Sequence, residues 1–397
     1  MDFYELSSTF LYITFVIYLI ATAFFGMTLG NKRDENKKSK ATKYAMIFTI
    51  TGFTSQLISF VFRWLEAGHI PVSNMFEYIY FFGMMLVLSF IVIHFVYGVS
   101  VLGLIALPIA IVIIGYGSMF PQEVAPLVPS LQSHWLYIHV TMVGLAQAIL
   151  AISFIAGLLF LIVKINQSTR NKETTFLELI IYGVVATVGY IILSTGFGAA
   201  GYEAMFIKDA DDGYQYEIVY EMPALFQPNN SELMSEDRFN SGLETPAWMQ
   251  GVDAGQKLNT LTLSLLTGLV LYGLIRLILR GQRIGAYLQP KFGKVNPDVV
   301  DDIMYRAIAI GFPLFTLGGL IFAAIWAQEA WGRFWGWDPK EVWALVTWLF
   351  YAVFLHLRLT RGWHGKKSAW LAVIGFAIIM FNLIVINLVI AGLHSYA

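Results

Sequence analysis

The chain has 397 residues, of which 57% are hydrophobic and 13% charged, and its formal net charge is −1. Apolar residues come in runs of about 20, the length that crosses a bilayer core, so the composition excludes a soluble globular protein and indicates a polytopic membrane protein. The absence of cysteine excludes thiolate metal sites, disulfides and thiol redox chemistry within this chain. A bound metal or haem would need histidine, methionine or carboxylate ligands.

Ten apolar runs predict ten transmembrane helices, and the expected fold class is an all-α integral membrane protein. We treat residues 1–397 as a single membrane domain. The first run is not expected to be a cleavable signal peptide, because Asp2 and Glu5 precede it and no small-residue cleavage site follows. The predicted spans are 9–29, 44–65, 76–97, 99–116, 135–163, 178–197, 258–280, 305–326, 342–360 and 368–390.

The distribution of basic residues predicts the orientation of these helices. Alternate loops and helix ends place most of the 25 lysines and arginines on one side, which the positive-inside rule makes cytoplasmic. Both termini and the segments 117–134, 198–257 and 327–341 are then extracytoplasmic. We expect a bacterial plasma membrane, in preference to a thylakoid membrane.

The longest loop, residues 198–257, is an acidic extracytoplasmic insertion with scattered aromatic residues and prolines. This composition fits either a small ordered cap or a flexible flap, and the sequence does not decide between them. A solvated insertion is favoured over a docking surface for a basic partner.

Two histidines, His139 and His394, lie on the same predicted extracytoplasmic face as the most aromatic segment of the chain. His139 lies about one turn inside the fifth helix, and His394 lies just past the tenth. Two imidazoles on opposite faces of a haem ring would supply bis-histidine ligation of its iron. The alternative is that each histidine only caps a helix or hydrogen-bonds at the membrane interface, and the residues alone leave both interpretations open.

A third histidine, His356, lies much deeper along the ninth helix. A position about 17 residues from Pro339 is roughly 25 Å along the helix axis, so His356 cannot bind the same iron as His139 and His394. An ionisable residue at this depth is a functional candidate. It is equally explained as a side chain that reaches the inner headgroups beside Arg358.

The densest aromatic segment follows the eighth helix, and we call residues 327–341 the tryptophan loop. Trp331, Phe334, Trp335 and Trp337 lie within seven positions at a membrane boundary. Their rings are expected to form a flat aromatic surface that suits a large planar ligand.

The end of the tryptophan loop has the pattern of a helix start. Asp338 is predicted as N-cap, Pro339 as the first helical residue and Glu341 as the acidic partner of a capping box. Arg333 and Lys340 are the loop's cations. They are candidates to pair with haem propionates, although anchoring to lipid phosphate explains them equally well.

The run from residue 327 to 358 resembles the WWD signature of haem-handling membrane proteins, in the CcsA/ResC branch of cytochrome c biogenesis. It reads Ala-Gln-Glu-Ala-Trp-Gly-Arg-Phe-Trp-Gly-Trp-Asp-Pro-Lys-Glu and continues through Trp343, Trp348, His356 and Arg358. Three further motifs agree with this family, at residues 68–77, 135–140 and 392–396. The chain departs from the family pattern at Phe76, where relatives often carry tyrosine, and in a longer region around 178–290.

The resemblance implies a cytochrome c haem lyase (synthase) that works with a CcsB/ResB-type subunit. Such a complex moves haem b outward and attaches it to the Cys-x-x-Cys-His motif of apocytochrome c, whose thiols are kept reduced by a thiol-reducing partner. No nucleic acid is expected to bind, and no residue is assigned as catalytic. The residues expected to contact haem are His139 and His394 as outer axial ligands, His356 in a deeper site completed by the partner subunit, Trp331, Trp335, Trp337 and Asp338, and with less support His69, Arg333 and Lys340.

Two other functions remain open at this stage. A CcmC-like haem exporter or chaperone binds haem at a WWD segment without forming thioethers. A non-haem transporter could use the tryptophans only as an interfacial belt.

Overall fold

The computed structural model describes residues 2–29, 35–118, 120, 122–124, 127–209, 215–234, 242–246 and 254–386. His394 lies outside these residues. The α-helices of the described chain are α1 (Phe3–Leu29), α2 (Glu35–Ala67), α3 (Met75–Tyr97), α4 (Gly103–Gly117), α5 (His134–Lys164), α6 (Lys172–Ala199), α7 (Ala254–Ile278), α8 (Ile284–Leu288), α9 (Pro297–Phe315), α10 (Ala323–Trp331), α11 (Pro339–Arg361) and α12 (Lys366–Met380).

Ten helices among the described residues are long and apolar enough to cross a membrane, which confirms the ten predicted spans and the helical, polytopic fold class. The largest boundary difference is in the eighth span, which begins at Pro297 and not at 305. Asn296 caps this helix by accepting from the Asp298 amide at 3.0 Å, and Pro297 occupies its first turn. The first turns of α9 contain charged residues that lower the mean hydropathy, so the apolar run begins later in the sequence than the helix does.

The chain divides into two compact units, of which the first comprises Met1–Gln167 and Leu288–Ala397. Helix α5 is its centre, because 89% of its most apolar window is buried and it packs against α3, α9 and α12. Helix α1 packs against α2 and α4. Small residues permit close contacts at the α5 and α9 crossing, where a methyl group on Gly311 would lie 2.8 Å from Leu150 Cγ.

Two helices of the first unit pass into π-helical segments, Thr316–Phe322 after α9 and Phe381–Ile386 after α12. A π-helical turn holds more residues than an α-helical turn, so it shifts the side chains and carbonyl groups that follow it. Such segments are rare and are frequent at functional sites. Both line the same cavity here, through Gly319 on one and Asn382 on the other.

The second unit, Ser168–Tyr287, contains α6, α7, α8 and five short strands. Helices α6 and α7 cross closely, since a methyl group on Gly268 would lie 2.5 Å from Ala186 Cα. The strands are β1 (Ala204–Asp209), β2 (Gln215–Tyr220), β3 (Phe226–Gln227), β4 (Ser231–Leu233) and β5 (Leu243–Glu244).

Strands β2, β1 and β4 form one antiparallel sheet in that order, and β3 pairs with β5 in parallel. Phe206 and Tyr220 are buried in a small core beneath the larger sheet. The described part of residues 198–257 therefore contains short paired strands and a small buried core.

Candidate functional site

A cavity opens at the end of the first unit that carries the tryptophan loop. Its empty volume is about 1190 Å³, counting the part that is open to solvent, and its walls come from α3, α5, α10, α11 and both π-helical segments. Its walls are mainly apolar, with the polar side chains of His139, Lys340, Glu341, Gln147 and Asn382 among them. We call it the main cavity.

His139 lies in the second turn of α5 and lines the main cavity. Its Nδ1 lies 2.8 Å from the carbonyl oxygen of Gly318, in the first π-helical segment. Because a carbonyl oxygen only accepts hydrogen bonds, Nδ1 carries a proton, and in the neutral imidazole the lone pair is then on Nε2. This is the arrangement of a metal-binding histidine, whose second nitrogen usually donates to a carbonyl or carboxylate.

The Trp326 ring stacks on the His139 ring, with ring centroids 5.7 Å apart and planes 12° from parallel. The indole is 2% exposed, and its N–H donates to the Ser130 carbonyl at 3.0 Å. Trp326 was not predicted as a site residue, because it lies inside the apolar span that precedes the tryptophan loop.

The capping box at the end of the tryptophan loop is confirmed. Asp338 caps α11 with Pro339 in its first turn, and the Glu341 carboxylate accepts from the Asp338 amide at 3.1 Å. The same Glu341 oxygen accepts from the Gly336 amide at 2.8 Å. Glu341 therefore fixes the backbone of the loop as well as the helix start.

The expectation of a flat aromatic surface is wrong. Trp335 and Trp337 meet nearly edge to face, with planes 85° apart, and Trp331 meets Trp326 at 62°. Edge-to-face contacts satisfy the ring quadrupoles better than a flat layer does. Of the loop's four rings, Phe334 and Trp335 line the main cavity, whereas Trp331 packs on Trp326 below the loop.

Trp337 has an unusual conformation. Its φ is +58°, in the left-handed region, and its side chain is 70% exposed. A bulky residue with this backbone is strained, and such residues cluster at binding sites. The three predicted tryptophans therefore have different positions. Trp335 lines the main cavity, Trp331 packs against Trp326, and Trp337 is exposed.

The two cations of the tryptophan loop have different surroundings. Lys340 lines the main cavity. Arg333 is exposed and lies over Gly336, where a methyl group would be 2.7 Å from the guanidinium. Only Lys340 is thus placed to contact a ligand in the main cavity.

Two polar atoms at the wall of the main cavity are buried and have no hydrogen-bond partner among the described residues. They are Nε1 of Trp335 and Oδ1 of Asn382. A third polar group, the Gln147 side chain, accepts from the Tyr78 hydroxyl at 2.6 Å. An unpaired buried donor or acceptor costs about 1–3 kcal/mol, so a ligand that pairs with it gains affinity.

His69 lines a different cavity, together with Ser133, His134, Tyr137 and Glu329. Its ring stacks on Tyr137 with centroids 6.4 Å apart, and its Nδ1 lies 3.1 Å from the Ile70 carbonyl. The first turns of α5 separate this second cavity from the main one. The structure therefore does not bring His69 and His139 to one ligand.

A buried ion pair anchors the segment that carries His69. Arg63 Nε donates to Glu77 at 2.9 Å, and the two side chains are 4% and 1% exposed. Glu77 also accepts from the amide and hydroxyl of Ser73 at 2.8 Å. The turn between α2 and α3 is thus held from both sides.

His356 lies near the far end of α11 and is exposed in this chain. Other exposed residues of α11 share one helix face with His356, because they follow one another at helical spacing. They are Val346, Leu349, Val353 and Leu359. Arg358 is not exposed beside it, because its guanidinium binds Asp301 in a bidentate pair at 2.9 and 2.6 Å. Among the described residues there is no group of three or more potential metal ligands.

Comparison with known proteins places these residues in context. A family model described as "Cytochrome C assembly protein" matches residues 72–200 and 257–394. A cytochrome c biogenesis protein CcsA from Crocosphaera subtropica is 32% identical over 338 residues, covering 84% of this chain and 82% of the relative. The CcsA proteins of Microcystis aeruginosa, at 31% over 338 residues, and Nostoc sp., at 29% over 393 residues, cover 84% and 97% of this chain and 81% and 94% of their own lengths.

Proposed function

The chain belongs to the CcsA family of cytochrome c biogenesis proteins, and on this premise we propose that it is the haem-presenting subunit of a cytochrome c synthase. In this proposal it holds haem b in the main cavity and works with a CcsB/ResB-type subunit. The observation that carries the proposal is His139, whose Nδ1 donates to a backbone carbonyl and whose ring lines an aromatic cavity. The WWD segment forms one wall of that cavity.

His139 is the first axial ligand of the haem iron in this proposal. In its neutral form the imidazole would bind iron through Nε2, with Nδ1 donating to the Gly318 carbonyl. His394 is proposed as the second axial ligand, and the family match extends to this residue.

The main cavity suits the rest of the haem molecule. Trp335 and Phe334 offer apolar contact to a planar ring. The Lys340 ammonium and the buried Trp335 indole N–H are donors for propionate carboxylates. The haem ring would thus lie against apolar walls, and its two propionates would meet the Lys340 ammonium and the Trp335 N–H.

The proposed reaction is the formation of thioether bonds between haem and apocytochrome c, for which the apocytochrome supplies the thiols. Each thioether forms when a thiol of the apocytochrome Cys-x-x-Cys-His motif adds to a haem vinyl group. Sulfur bonds to the vinyl carbon next to the ring and the proton ends on the terminal carbon, so no oxidant or reductant is consumed. This chain has no cysteine, so its contribution is to orient haem with a vinyl edge exposed until the substrate histidine displaces one axial ligand. The substrate thiols must be reduced, which requires a thiol-reducing partner.

His356 is proposed as a ligand in a deeper haem site on the export path. An ionisable side chain that faces lipid is costly, and the exposed residues Val346, Leu349 and Val353 lead to it along α11. A transmembrane helix of the CcsB/ResB-type subunit would cover this face and bring the second histidine.

The distribution of lysine and arginine supports an orientation with the main cavity on the extracytoplasmic side and both termini outside. We place the complex in a bacterial plasma membrane, where apocytochromes and haem meet at the outer face.

The test uses the full chain expressed with its partner subunit and a reporter apocytochrome. We expect purified wild type to show a bis-histidine haem spectrum, and His139→Ala or His394→Ala to lose it and to lower reporter maturation at least about tenfold. His134→Ala is the matched control, because His134 starts the same helix but lines the second cavity.

Unchanged spectra and maturation in both variants would contradict the proposal. Haem binding without reporter maturation, even with the partner present, would indicate a CcmC-like chaperone. Absence of haem from all preparations would indicate a transporter of another kind.

A further inference from the structure

The carbonyl that meets His139 belongs to an irregular part of its helix. Gly318 lies in the π-helical segment Thr316–Phe322, where its carbonyl accepts the amide N–H of Ala323, five residues further on. A carbonyl oxygen has two lone pairs, and the second receives the Nδ1–H of His139 at 2.8 Å. The π-helical turn thus presents a backbone acceptor to a side chain on α5.

This contact depends on the absence of a side chain at position 318. A methyl group there would lie 2.8 Å from the backbone nitrogen of Val143 and 3.0 Å from the carbonyl carbon of Met142. These are backbone atoms within α5 and cannot rotate away. Glycine is therefore what lets the two backbones approach closely enough for the hydrogen bond to His139.

A second, independent contact fixes the plane of the imidazole. Trp326 stacks on the His139 ring at 5.7 Å, and its own N–H is tied to the Ser130 carbonyl. The indole is almost fully buried. The imidazole is thus held at one edge by Gly318 and on one face by Trp326, both of which come from the span that leads into the tryptophan loop.

We propose that Gly318 and Trp326 are positioning residues for His139, and that the π-helical segment exists to place the Gly318 carbonyl against its Nδ1. The inference rests on the proposed function, since it takes His139 as an iron ligand. A donor bond from Nδ1 fixes the tautomer and raises the basicity of Nε2. Loss of such a partner typically weakens metal binding by about 10- to 100-fold.

The experiment compares two glycine-to-alanine variants in the full chain with its partner subunit. Gly318→Ala displaces the carbonyl from His139. Gly311→Ala is the control, because its added methyl group also meets α5, at the Leu150 side chain 2.8 Å away, without touching His139. The readouts are haem retained after purification and the concentration of added imidazole that replaces the protein ligand.

We expect Gly318→Ala to retain at least about tenfold less haem than wild type after purification. Added imidazole should replace its protein ligand at a lower concentration than in wild type. With imidazole supplied, the variant should show a bis-imidazole spectrum. Gly311→Ala should titrate with imidazole as wild type does. Equal imidazole titrations of the two variants would overturn the role of Gly318, while loss of haem in His139→Ala would still uphold the proposed function. Haem ligation that survives His139→Ala would instead overturn the proposed function itself.

Trp326 keeps the proposal testable if Gly318→Ala does not accumulate in the membrane. Trp326→Leu removes the stacked ring and should lower the imidazole concentration that displaces His139, whereas Trp326→Phe keeps a ring and should restore most of the difference. A leucine variant that titrates like wild type would show that the stacking does not position His139.

Discussion

Replacing Glu341 with alanine removes the carboxylate that holds the backbone of the tryptophan loop. One oxygen of this side chain accepts from the amides of Gly336 and Asp338 at 2.8 and 3.1 Å. The first bond fixes the turn that carries Trp335, and the second completes the cap of α11. Without them, Trp335 is no longer fixed at the wall of the main cavity.

The size of the effect follows from these two bonds. A hydrogen bond to a charged group contributes about 1.5–3 kcal/mol and a helix cap about 1 kcal/mol. Glu341 is partly exposed, so we take roughly 2 kcal/mol for both bonds together. Since about 1.4 kcal/mol corresponds to a factor of ten, the ordered loop should become about 30-fold less favoured. Haem affinity should fall by up to this factor, because binding must order the loop again.

The assay measures haem affinity of the purified complex by optical titration. Glu341→Gln is the control, because glutamine keeps an acceptor oxygen and serves in capping boxes. We expect it to retain most of the affinity that Glu341→Ala loses. If glutamine lowers affinity as much as alanine, the negative charge matters and not the hydrogen bonds, and our explanation of Glu341 is refuted.

Two further predictions follow from the charges in the first unit. Lys340→Ala should weaken haem binding about 10- to 100-fold, as expected for loss of a charge-assisted hydrogen bond, whereas Arg333→Ala should leave titrations nearly unchanged; the reverse order would contradict the assignment of propionates to Lys340. Arg358→Leu should destabilise the detergent-solubilised protein by up to about 3–5 kcal/mol, because it removes the ion-pair partner of the Asp301 carboxylate, which is 15% exposed. Thermal unfolding measures this loss of stability. Arg306→Ala is the control, because Arg306 pairs with Asp302 at the exposed surface of α9, the helix that also carries Asp301, and its loss should not change stability.

The sequence was sufficient for features that depend on local pattern. The number and type of the membrane helices follow from runs of apolar residues, because the bilayer fixes their length. The start of α11 follows from Asp338, Pro339 and Glu341, since capping is decided within four residues. The depth difference between His139 and His356 follows from helix rise alone.

Features that depend on packing could not be predicted in this way. A π-helical segment leaves no mark in a uniformly apolar run, so the partnership of Gly318 with His139 was invisible. Trp326 and Asn382 were missed because they lie inside predicted spans and acquire meaning only when several helices meet. The angle between Trp335 and Trp337 is set by turn geometry, which ring spacing in the sequence does not report. The strands of the acidic insertion are too short for a clear alternating pattern.

The conformation of Trp337 has an energetic consequence for the tryptophan loop. A left-handed backbone at a residue with a Cβ costs roughly 1–2 kcal/mol, and an indole that is 70% exposed recovers little of this through packing. Glycine would relieve the strain at this position, so the chain is locally frustrated there: its backbone preference and its side chain favour different outcomes. Contact of the ring with another molecule or with the membrane interface would offset part of this cost. Within the described fold, burial of the Trp337 side chain does not compensate the strain of its backbone.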